Sequence, residues 1–395
     1  MLDQPKQVSL TNSLTFAYSF SIQSLERDWL QTKVDTIYLQ PSYLKALENS
    51  LSDKVTFIYV VVYQDKLPIG VVYFQWIRIG GDFFTQEKFP KEIHSKLTSS
   101  VLKRVKGSLL LCGNFFATGV HGFYFNSDLP TSTLSLLVKK IKKQLCASKT
   151  IAHVKFVMYK EFWLNQDVAL QENLLETHAC FQIDVNMVLE IKEQWTGLDT
   201  YLESMTTKYR TRAKSVYKKT AVVSSKEFSA KEIQENFSII QRLYQSVLDT
   251  ASFNMVELSV ASFYEFKVNL KENFIFTGYY KDDALVAFST ACVNHHYLDA
   301  NYVGLDYELN KEIPVYQRIL YDYVQLALRK KVVELRLGRT AELMKSSLGA
   351  VPKEMNLYIK HSNPLLHTLL KPLTHYVKPS TYEIRKPFKK SFCQS

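Results

Sequence analysis

Glycine and proline are scarce in this chain: 12 and 11 among 395 residues. Long flexible linkers and low-complexity tracts are therefore not expected. Cysteine is sparse too. Cys112, Cys146, Cys180, Cys292 and Cys393 are scattered, odd in number and without a C-x-x-C pair. That pattern points to neither a disulfide framework nor a zinc site, and no metal is expected. Reduced thiols suit a cytoplasmic protein. The N-terminal Met1-Leu-Asp-Gln-Pro-Lys6 has no apolar signal core. The longest apolar run, near Phe57–Tyr63, falls far short of the roughly 20 residues that cross a bilayer. The expectation is a soluble cytoplasmic protein, free or peripheral on the inner membrane. The signatures G-x-x-x-x-G-K-[ST], G-x-S-x-G and H-E-x-x-H are all missing, which sets aside P-loop, serine-hydrolase and zincin chemistry.

What is plentiful is positive charge and aromatic surface. Lysine and arginine number 49 against 38 acids, a net charge of +11, with 24 Tyr and 24 Phe. The charge predicts an anionic partner: nucleic acid, an acidic lipid surface or a phosphate-bearing cofactor. The aromatics predict a packed core, and they could also line an acyl tunnel. The length predicts two domains.

Two halves repeat one order of elements. In the first, Val55–Tyr63 and Ile69–Ile77 read as strands joined by the turn Gln64-Asp-Lys66. A basic region follows, then a strand at Ser108–Leu111, a helix at Leu134–Cys146 and a strand at Ile151–Met158. In the second, strands are expected at Phe274–Tyr280, Ala284–Val293 and Tyr297–Leu305, with turns at Lys281-Asp-Asp283 and Asn294-His-His296. A helix from Pro314, suited to a first helical position, to about Lys330 leads to a strand at Val332–Leu337. The hairpins overlay: Tyr63-Gln-Asp-Lys-Leu-Pro-Ile-Gly70 on Tyr280-Lys-Asp-Asp-Ala-Leu-Val-Ala287. The predicted fold class is therefore α+β: two tandem units, 1–190 and 191–395, each a mixed, mostly antiparallel sheet flanked by helices and containing one β-α-β crossover. The boundary is placed near Asp184–Asp199.

A basic helix over 200–219 is expected to link the units. Thr200-x-x-Glu203 has the form of a capping box. Leu202, Met205, Tyr209, Ala213 and Val216 share one helical face. Lys208, Arg212 and Lys219 border that face on one side, and Arg210, Lys214 and Lys218 on the other. The block Lys208-Tyr-Arg-Thr-Arg212 is a candidate substrate-binding element, because arginine recognises phosphate and carboxylate in a bidentate way. A solvated surface helix is the competing reading, as is a helix lying on an anionic membrane.

A second basic cluster follows the last predicted strand: Gly338-Arg-Thr-Ala-Glu-Leu-Met-Lys-Ser-Ser-Leu-Gly349. Gly338 permits a turn that other residues resist. Arg339, Thr340, Lys345, Ser346 and Ser347 offer charge and hydroxyl donors to an anion; a solvated loop capping a helix is the alternative. On the strand Tyr297–Leu305, Asp299 and Asn301 fall on one face by alternation and are candidates for handling an amine's proton, or else a solvated strand edge. His295-His296 reads as an exposed turn, and Cys112 as a buried thiol.

Taken together, these motifs resemble a known family. Tyr201-Leu-x5-Lys208-Tyr-Arg-x-Arg212, the amphipathic Tyr316–Leu328 helix and Gly338-Arg-Thr-Ala-x3-Lys345-Ser-x2-Gly349 are similar to the GNAT-type acyltransferases, in the tandem branch of the Fem-type peptidoglycan aminoacyltransferases. Cys112-Gly-Asn-x3-Thr118-Gly119, Asn186-Met187 and Arg385-x-Pro-Phe-Lys389 add to the likeness, which runs from about Pro41 to Lys389. The resemblance implies N-acyl transfer from acyl-CoA or an acyl carrier protein to an amine acceptor, an amino-lipid among the candidates. Asp299 and Asn301 would be catalytic. Arg339, Thr340 and Lys345 would hold the donor, and Lys208, Tyr209, Arg210 and Arg212 the substrate. One departure stands out: the loop Asp306–Pro314, where a simple GNAT places a glycine-rich phosphate loop, has no glycine and carries acids. This favours a divergent donor, including aminoacyl-tRNA in a Fem-type cell-wall reaction. A noncatalytic module that binds anionic ligands on the same fold is the third reading.

Overall fold

The computed structural model describes residues 5–79, 107–126, 129–130, 132–147, 151, 153–182, 185–250, 256–374 and 383–392. The basic region expected after Ile77, beyond Ile79, and Cys393 lie outside these. The chain divides into two compact units. Unit 1 comprises 1–183, 252–258 and 354–379, and unit 2 comprises 184–251, 259–353 and 380–395.

Unit 1 runs β1 (Lys6–Ser9), β2 (Leu14–Ser19), α1 (Glu26–Gln31), α2 (Pro41–Leu51), β3 (Thr56–Gln64), β4 (Leu67–Ile79), β5 (Gly107–Cys112), β6 (Phe123–Phe125), α3 (Ser132–Ala147), β7 (Phe156–Trp163), α4 (Val168–Thr177) and β8 (Ala179–Phe181). Unit 2 follows with β9 (Val185–Glu190), α5 (Leu198–Ser204), α6 (Thr207–Lys219), β10 (Ser224–Glu227), α7 (Ala230–Glu235), α8 (Phe237–Thr250) and α9 (Ala261–Leu270). It continues through β11 (Phe274–Lys281), β12 (Ala284–Asn294), β13 (Tyr297–Leu305), α10 (Tyr307–Glu312), α11 (Val315–Lys330), β14 (Glu334–Arg336) and α12 (Glu342–Ser346). Strand β15 (Val351–His361) carries the chain back into unit 1, where α13 (Pro364–Leu373) ends it.

The two sheets have the same plan. Unit 1 is ordered β1-β2-β3-β4-β5-β7-β15, with β6 also on β4 and β8 on β15; unit 2 is ordered β10-β11-β12-β13-β14-β9. In each, two antiparallel pairings lead to one parallel pair, β5·β7 or β13·β14, bridged by α3 or α11. An antiparallel strand then closes the sheet, β15 on β7 and β9 on β14. The hairpins match to the residue. Asp65 and Lys66 have φ of 48° and 68°, and Asp282 and Asp283 have 48° and 62°. Positive φ at both central residues makes the primed turn whose twist suits a two-residue hairpin. Both hairpins also shift register at the same step, Val62/Tyr63 and Tyr279/Tyr280. The fold is thus two tandem α+β units, as the repeated element order predicts.

Several boundaries differ from expectation. The 200–219 helix is two helices, because Met205 is extended at φ −78°, ψ 153°. Met205 pairs with Phe388 instead. Thr200 lies at the third position of α5, and its hydroxyl accepts from the Gly197 amide at 3.1 Å; the helix therefore starts earlier than a Thr200 cap would place it. Pro314 is the residue before α11, not its first. The strand expected at Ile151–Met158 is displaced to Phe156–Trp163, and β14 is shorter than Val332–Leu337.

In unit 1, Ile58, Val60 and Val62 of β3 pack with Leu137 and Ile141 of α3. One face of the unit 2 sheet packs Leu298 and Leu305 with Ala213 and Val216 of α6 and Ile319 and Val324 of α11. The other carries an aromatic cluster: Phe276 stacks on Phe288 at 4.9 Å, Phe263 meets Phe288 at 5.5 Å and Tyr244 meets Tyr302 at 6.0 Å. Much of the aromatic content is therefore core. No helix among the described residues is long and apolar enough to cross a membrane, and no group of three metal-ligating side chains occurs among them.

Candidate active site

The parallel pair of unit 2 is short. It runs from Tyr297↔Glu334 to Asp299↔Arg336. Beyond that point the strands part. On the β14 side the backbone turns to β9: the Leu337 amide donates to the Met187 carbonyl at 2.8 Å and the Met187 amide to the Gly338 carbonyl at 3.0 Å. The Gly338 amide donates to Asn186 Oδ1 at 3.0 Å. On the other side β13 stays with β12 but bulges. Ala291 pairs with Ala300 and Ser289 with Val303, so Asn301 and Tyr302 together oppose Thr290. Thr290 Oγ1 accepts from the Tyr302 amide at 3.0 Å, and the Thr290 carbonyl accepts from Tyr323 Oη at 3.0 Å. The bulge re-aims the strand: Leu298, Ala300, Val303 and Leu305 all join the α6/α11 core, so the alternation that pairs Asp299 with Asn301 ends at Tyr302. Asp299 is buried and Asn301 half-buried. Bulges of this kind turn backbone amides and side chains out of the ladder.

The loop after β14 is built on left-handed backbone, with φ of 71° at Gly338, 60° at Thr340 and 52° at Ala341. Its donors divide. Arg339 is half-buried and Thr340 exposed. Burial lowers the Arg339 guanidinium to about 10, so it stays charged at neutral pH. Lys345 turns inward: it is 4% exposed, and its ammonium donates to the Arg339 carbonyl. Burial lowers it to about 7 against the opposing charge of Glu342. The hydroxyls of Ser346 and Ser347 donate back to the Leu343 carbonyl at 3.1 and 2.9 Å. Lys345 thus clamps the loop that presents Arg339.

One aromatic side chain ties this loop to α6. Phe388 meets Trp195 at 5.2 Å and Tyr201 at 6.0 Å, and pairs through its backbone with Met205 at the α5–α6 break. The Thr206 amide donates to the Pro387 carbonyl at 2.8 Å. A Cβ on Gly349, itself at φ 92°, would lie 2.0 Å from the Phe388 ring, so only glycine fits there. Tyr201 Oη donates to the Leu348 carbonyl at 2.8 Å. On α6, Lys208 is exposed, Arg210 and Arg212 are half-buried, and Tyr209 packs on the core. Arg212 is close enough to Tyr321 for its charge to oppose the rise that burial imposes on that phenol. On α11, Arg318 pairs with Asp322 at 2.8 Å and lies 4.7 Å from the Tyr217 ring centre.

The turn before α11 is already engaged: Asp306 caps α10, and Asn310 of α10 reaches one amide in the first turn of α11. Asp306 Oδ1 accepts from the Glu308 and Leu309 amides at 3.1 Å each, and Asn310 Oδ1 accepts from the Tyr316 amide at 2.9 Å. An acidic, self-capped turn sits where a phosphate would need free amides.

Unit 1 treats the equivalent point differently. By register, Phe74↔Cys112 corresponds to Ala291↔Ala300, and the pairing resumes at Val72↔Phe123 as it does at Ser289↔Val303. In place of a bulge, residues 113–122 form a loop. It closes on Tyr73, whose amide donates to the Gly122 carbonyl at 2.7 Å. Lys160, just past the end of the parallel pair at Tyr159, sends its ammonium to the Asn114 and Ala117 carbonyls at 2.7 Å each and to Glu161 at 2.9 Å. Glu161 also accepts from the Gly119 amide at 2.9 Å. Cys112 is buried, and burial raises its thiol far above the ordinary range.

Thr290, Asn310 and the Lys160–Glu161 pair carry no distinctive sequence signal beyond a hydroxyl in the small-residue run Ser289-Thr-Ala291, whereas Asn186 and Phe388 fall in segments that carry the resemblance.

No protein-family model and no curated protein matches the chain. Among solved structures, the crystal structure of FemX aligns over 93% of this chain and 100% of its own, with TM-score 0.56 and 10% identity. A conserved protein of unknown function from Bacteroides thetaiotaomicron aligns over 91% of this chain and 99% of its own, with TM-score 0.50 and 11% identity. A tandem GNAT protein from the clavulanic acid biosynthesis pathway covers 89% of this chain and 99% of its own at TM-score 0.48 and 10% identity. At such identities the likeness concerns architecture alone: the chain has a fold like that of FemX, built of two tandem α+β units.

Proposed function

We propose that the protein is an N-acyltransferase whose acyl donor binds in the wedge of unit 2. One observation carries this reading: the unit 2 strands part around a bulge of Asn301 and Tyr302 alone, whereas the same point in unit 1 is filled by residues 113–122 and the Lys160–Glu161 pair. In the reaction an amine attacks the donor carbonyl, a C–N bond forms, the C–S bond breaks and the thiol leaves with a proton. A backbone amide beside the Tyr297–Leu305 strand is assigned to the developing oxyanion. Asp299 and Asn301 are assigned to the amine and its departing proton. Arg339 and Thr340 would hold the donor's anionic part, with Lys345 positioning Arg339. Lys208, Tyr209, Arg210 and Arg212 would receive the acceptor, an amino-lipid being one candidate.

The acidic turn before α11, capped by its own Asp306 and with Asn310 on the Tyr316 amide, favours a donor that does not rest a pyrophosphate there. An acyl carrier protein meets that condition, as does a long-chain acyl-CoA held chiefly by its chain. Aminoacyl-tRNA is the second reading, favoured by the same feature and by the basic α6.

Thermal stability with coenzyme A, palmitoyl-coenzyme A, acyl carrier protein and tRNA in turn tests the choice. A ligand at 100 times its Kd that binds only the folded state adds about 2.7 kcal/mol. A shift with a thioester or its carrier supports acyl transfer, and a shift with tRNA alone supports the second reading. Silence with all four, together with tight binding of anionic lipid, would favour a noncatalytic binding module.

A further inference from the structure

Helix α13 exposes what a soluble surface helix normally hides. Leu365 is 78% exposed and Leu366 49%, side by side in its first turn. Asn363 caps the helix by accepting from the Leu365 and Leu366 amides at 2.9 and 3.3 Å, and Pro364 occupies the first position. The leucines are thus fixed on an ordered turn rather than on a fraying end.

The surroundings are cationic. Lys360 at the end of β15 and Lys371 on α13 are exposed, and Lys142 of α3 is half-buried. The Lys360 charge acts on Lys142, His178 and His367, and Lys371 and His361 act on His367 as well. The lysine charges all push the rings of His178 and His367 toward the neutral form, Lys360 acting on both and Lys371 on His367. Like charges gathered together are costly alone and become favourable beside an anion. Glu172 and Glu176 on α4 and Glu354 on β15 are exposed, and no carboxylate is among the charges that shift Lys142, His178 or His367, so the cationic ground belongs to α3, β15 and α13.

Exposed leucines within a cationic cluster match an interface where apolar chains lie just beneath phosphates. We propose that α13 docks unit 1 on an anionic phospholipid surface, with Leu365 and Leu366 entering the headgroup–acyl boundary and Lys142, Lys360 and Lys371 meeting lipid phosphates. This attachment is independent of the wedge of unit 2 and of its donor.

Sedimentation of the full chain with phosphatidylcholine vesicles, and with vesicles also containing phosphatidylglycerol, tests it. The protein should pellet with the anionic vesicles, and less as salt rises. Lys360→Glu/Lys371→Glu should weaken binding more than the roughly fivefold per lysine expected for lost attraction. Leu365→Ser/Leu366→Ser should weaken it about tenfold or more. Leu366→Trp should show blue-shifted emission on anionic vesicles only. Thermal melting matching wild type confirms that these exposed changes leave the fold intact. No pelleting with anionic vesicles, pelleting indifferent to both double variants, or an unshifted Trp emission would overturn the proposal. A dimer in vesicle-free buffer that Leu365→Ser dissolves would assign the leucines to a second copy and overturn it equally.

Discussion

Unit 1 and unit 2 share strand order, hairpin turn and crossover helix, yet diverge where the parallel pair separates. In unit 2 the residues there are Leu337, Gly338 and Arg339; in unit 1 the register puts Tyr159, Lys160 and Glu161 in their place. Gly338 takes a φ of 71° without a Cβ to clash, whereas Glu161 is held at 64° with a full side chain, a strained conformation for such a residue. Unit 1 holds it with a buried ion pair and several hydrogen bonds to loop 113–122. Unit 2 has no such inserted loop there and keeps its arginine at the margin. The same fold position can therefore be either a filled joint or an approach to the strand backbone. Local residues, rather than the architecture, decide which.

The largest expected effect tests whether unit 1 is a filled joint. Lys160→Met leaves Glu161 charged in the interior and strips two carbonyls of their partner. It should cost about 3–5 kcal/mol in urea unfolding of unit 1. Adding Glu161→Gln should return part of that loss. Donor affinity, measured by calorimetry at a temperature where the variant remains folded, should stay unchanged. A loss of donor binding with folding intact would place the donor in unit 1 and end the comparison as drawn.

A second, slightly smaller effect should also belong to unit 1. His178 is buried, and burial followed by the charges of Lys360 and His367 lowers it to about 4. Between pH 6.5 and about 4 the unfolded chain binds a proton there that the folded chain does not. Stability from this group is therefore complete above pH 6.5 and is lost as pH falls to 4, about 3 kcal/mol in all. His178→Phe keeps a ring against Tyr159, 5.3 Å away in the wild type. Its unfolding free energy should lack that share of the acid slope. Parallel wild-type and variant curves over this range would show that His178 takes no part.

Much of the fold was legible in the sequence because the hairpins write their geometry locally. Apolar runs rich in β-branched and aromatic residues on either side of Asp65-Lys66 and Asp282-Asp283 mark strand and turn together. Strand Tyr297–Leu305 was legible to the residue for the same reason. The bulge within it was not, because Asn301 and Tyr302 carry no glycine or proline and the extra residue is defined only by Thr290 across the ladder. The α5–α6 break escaped for a related reason. Met205 continues the helical stripe, and only a distant segment, Pro387–Lys389, gives its neighbours another backbone partner. The site's basic residues were visible as composition, but their directions were not: Lys345 reads as an anion ligand until burial turns it toward Arg339.

Thr290→Val sharpens the comparison within unit 2. It keeps the shape of the side chain, which is 1% exposed, but removes the oxygen that accepts from the Tyr302 amide. A buried donor left without its partner costs about 1–3 kcal/mol, read as a shift in thermal unfolding. If the bulge is the reaction centre, turnover should fall in conditions where the variant remains folded, because the bulged backbone loses the contact that fixes it. Stability lost with turnover intact would leave the bulge a structural device and move the chemistry elsewhere.

The smallest effect is the most local. Arg339 is half-buried at the mouth of the loop, and its carbonyl, not its guanidinium, receives Lys345. Arg339→Ala therefore leaves the clamp in place while removing the charge. Donor affinity should fall about tenfold, the scale of one charge-assisted contact, with melting temperature unchanged. Arg339→Lys should recover only part of the affinity, since a point charge cannot reproduce a planar fork. Equal donor affinity in wild type and Arg339→Ala would remove the anion from this loop and leave the arginines of α6, Arg210 and Arg212, as the groups to test next.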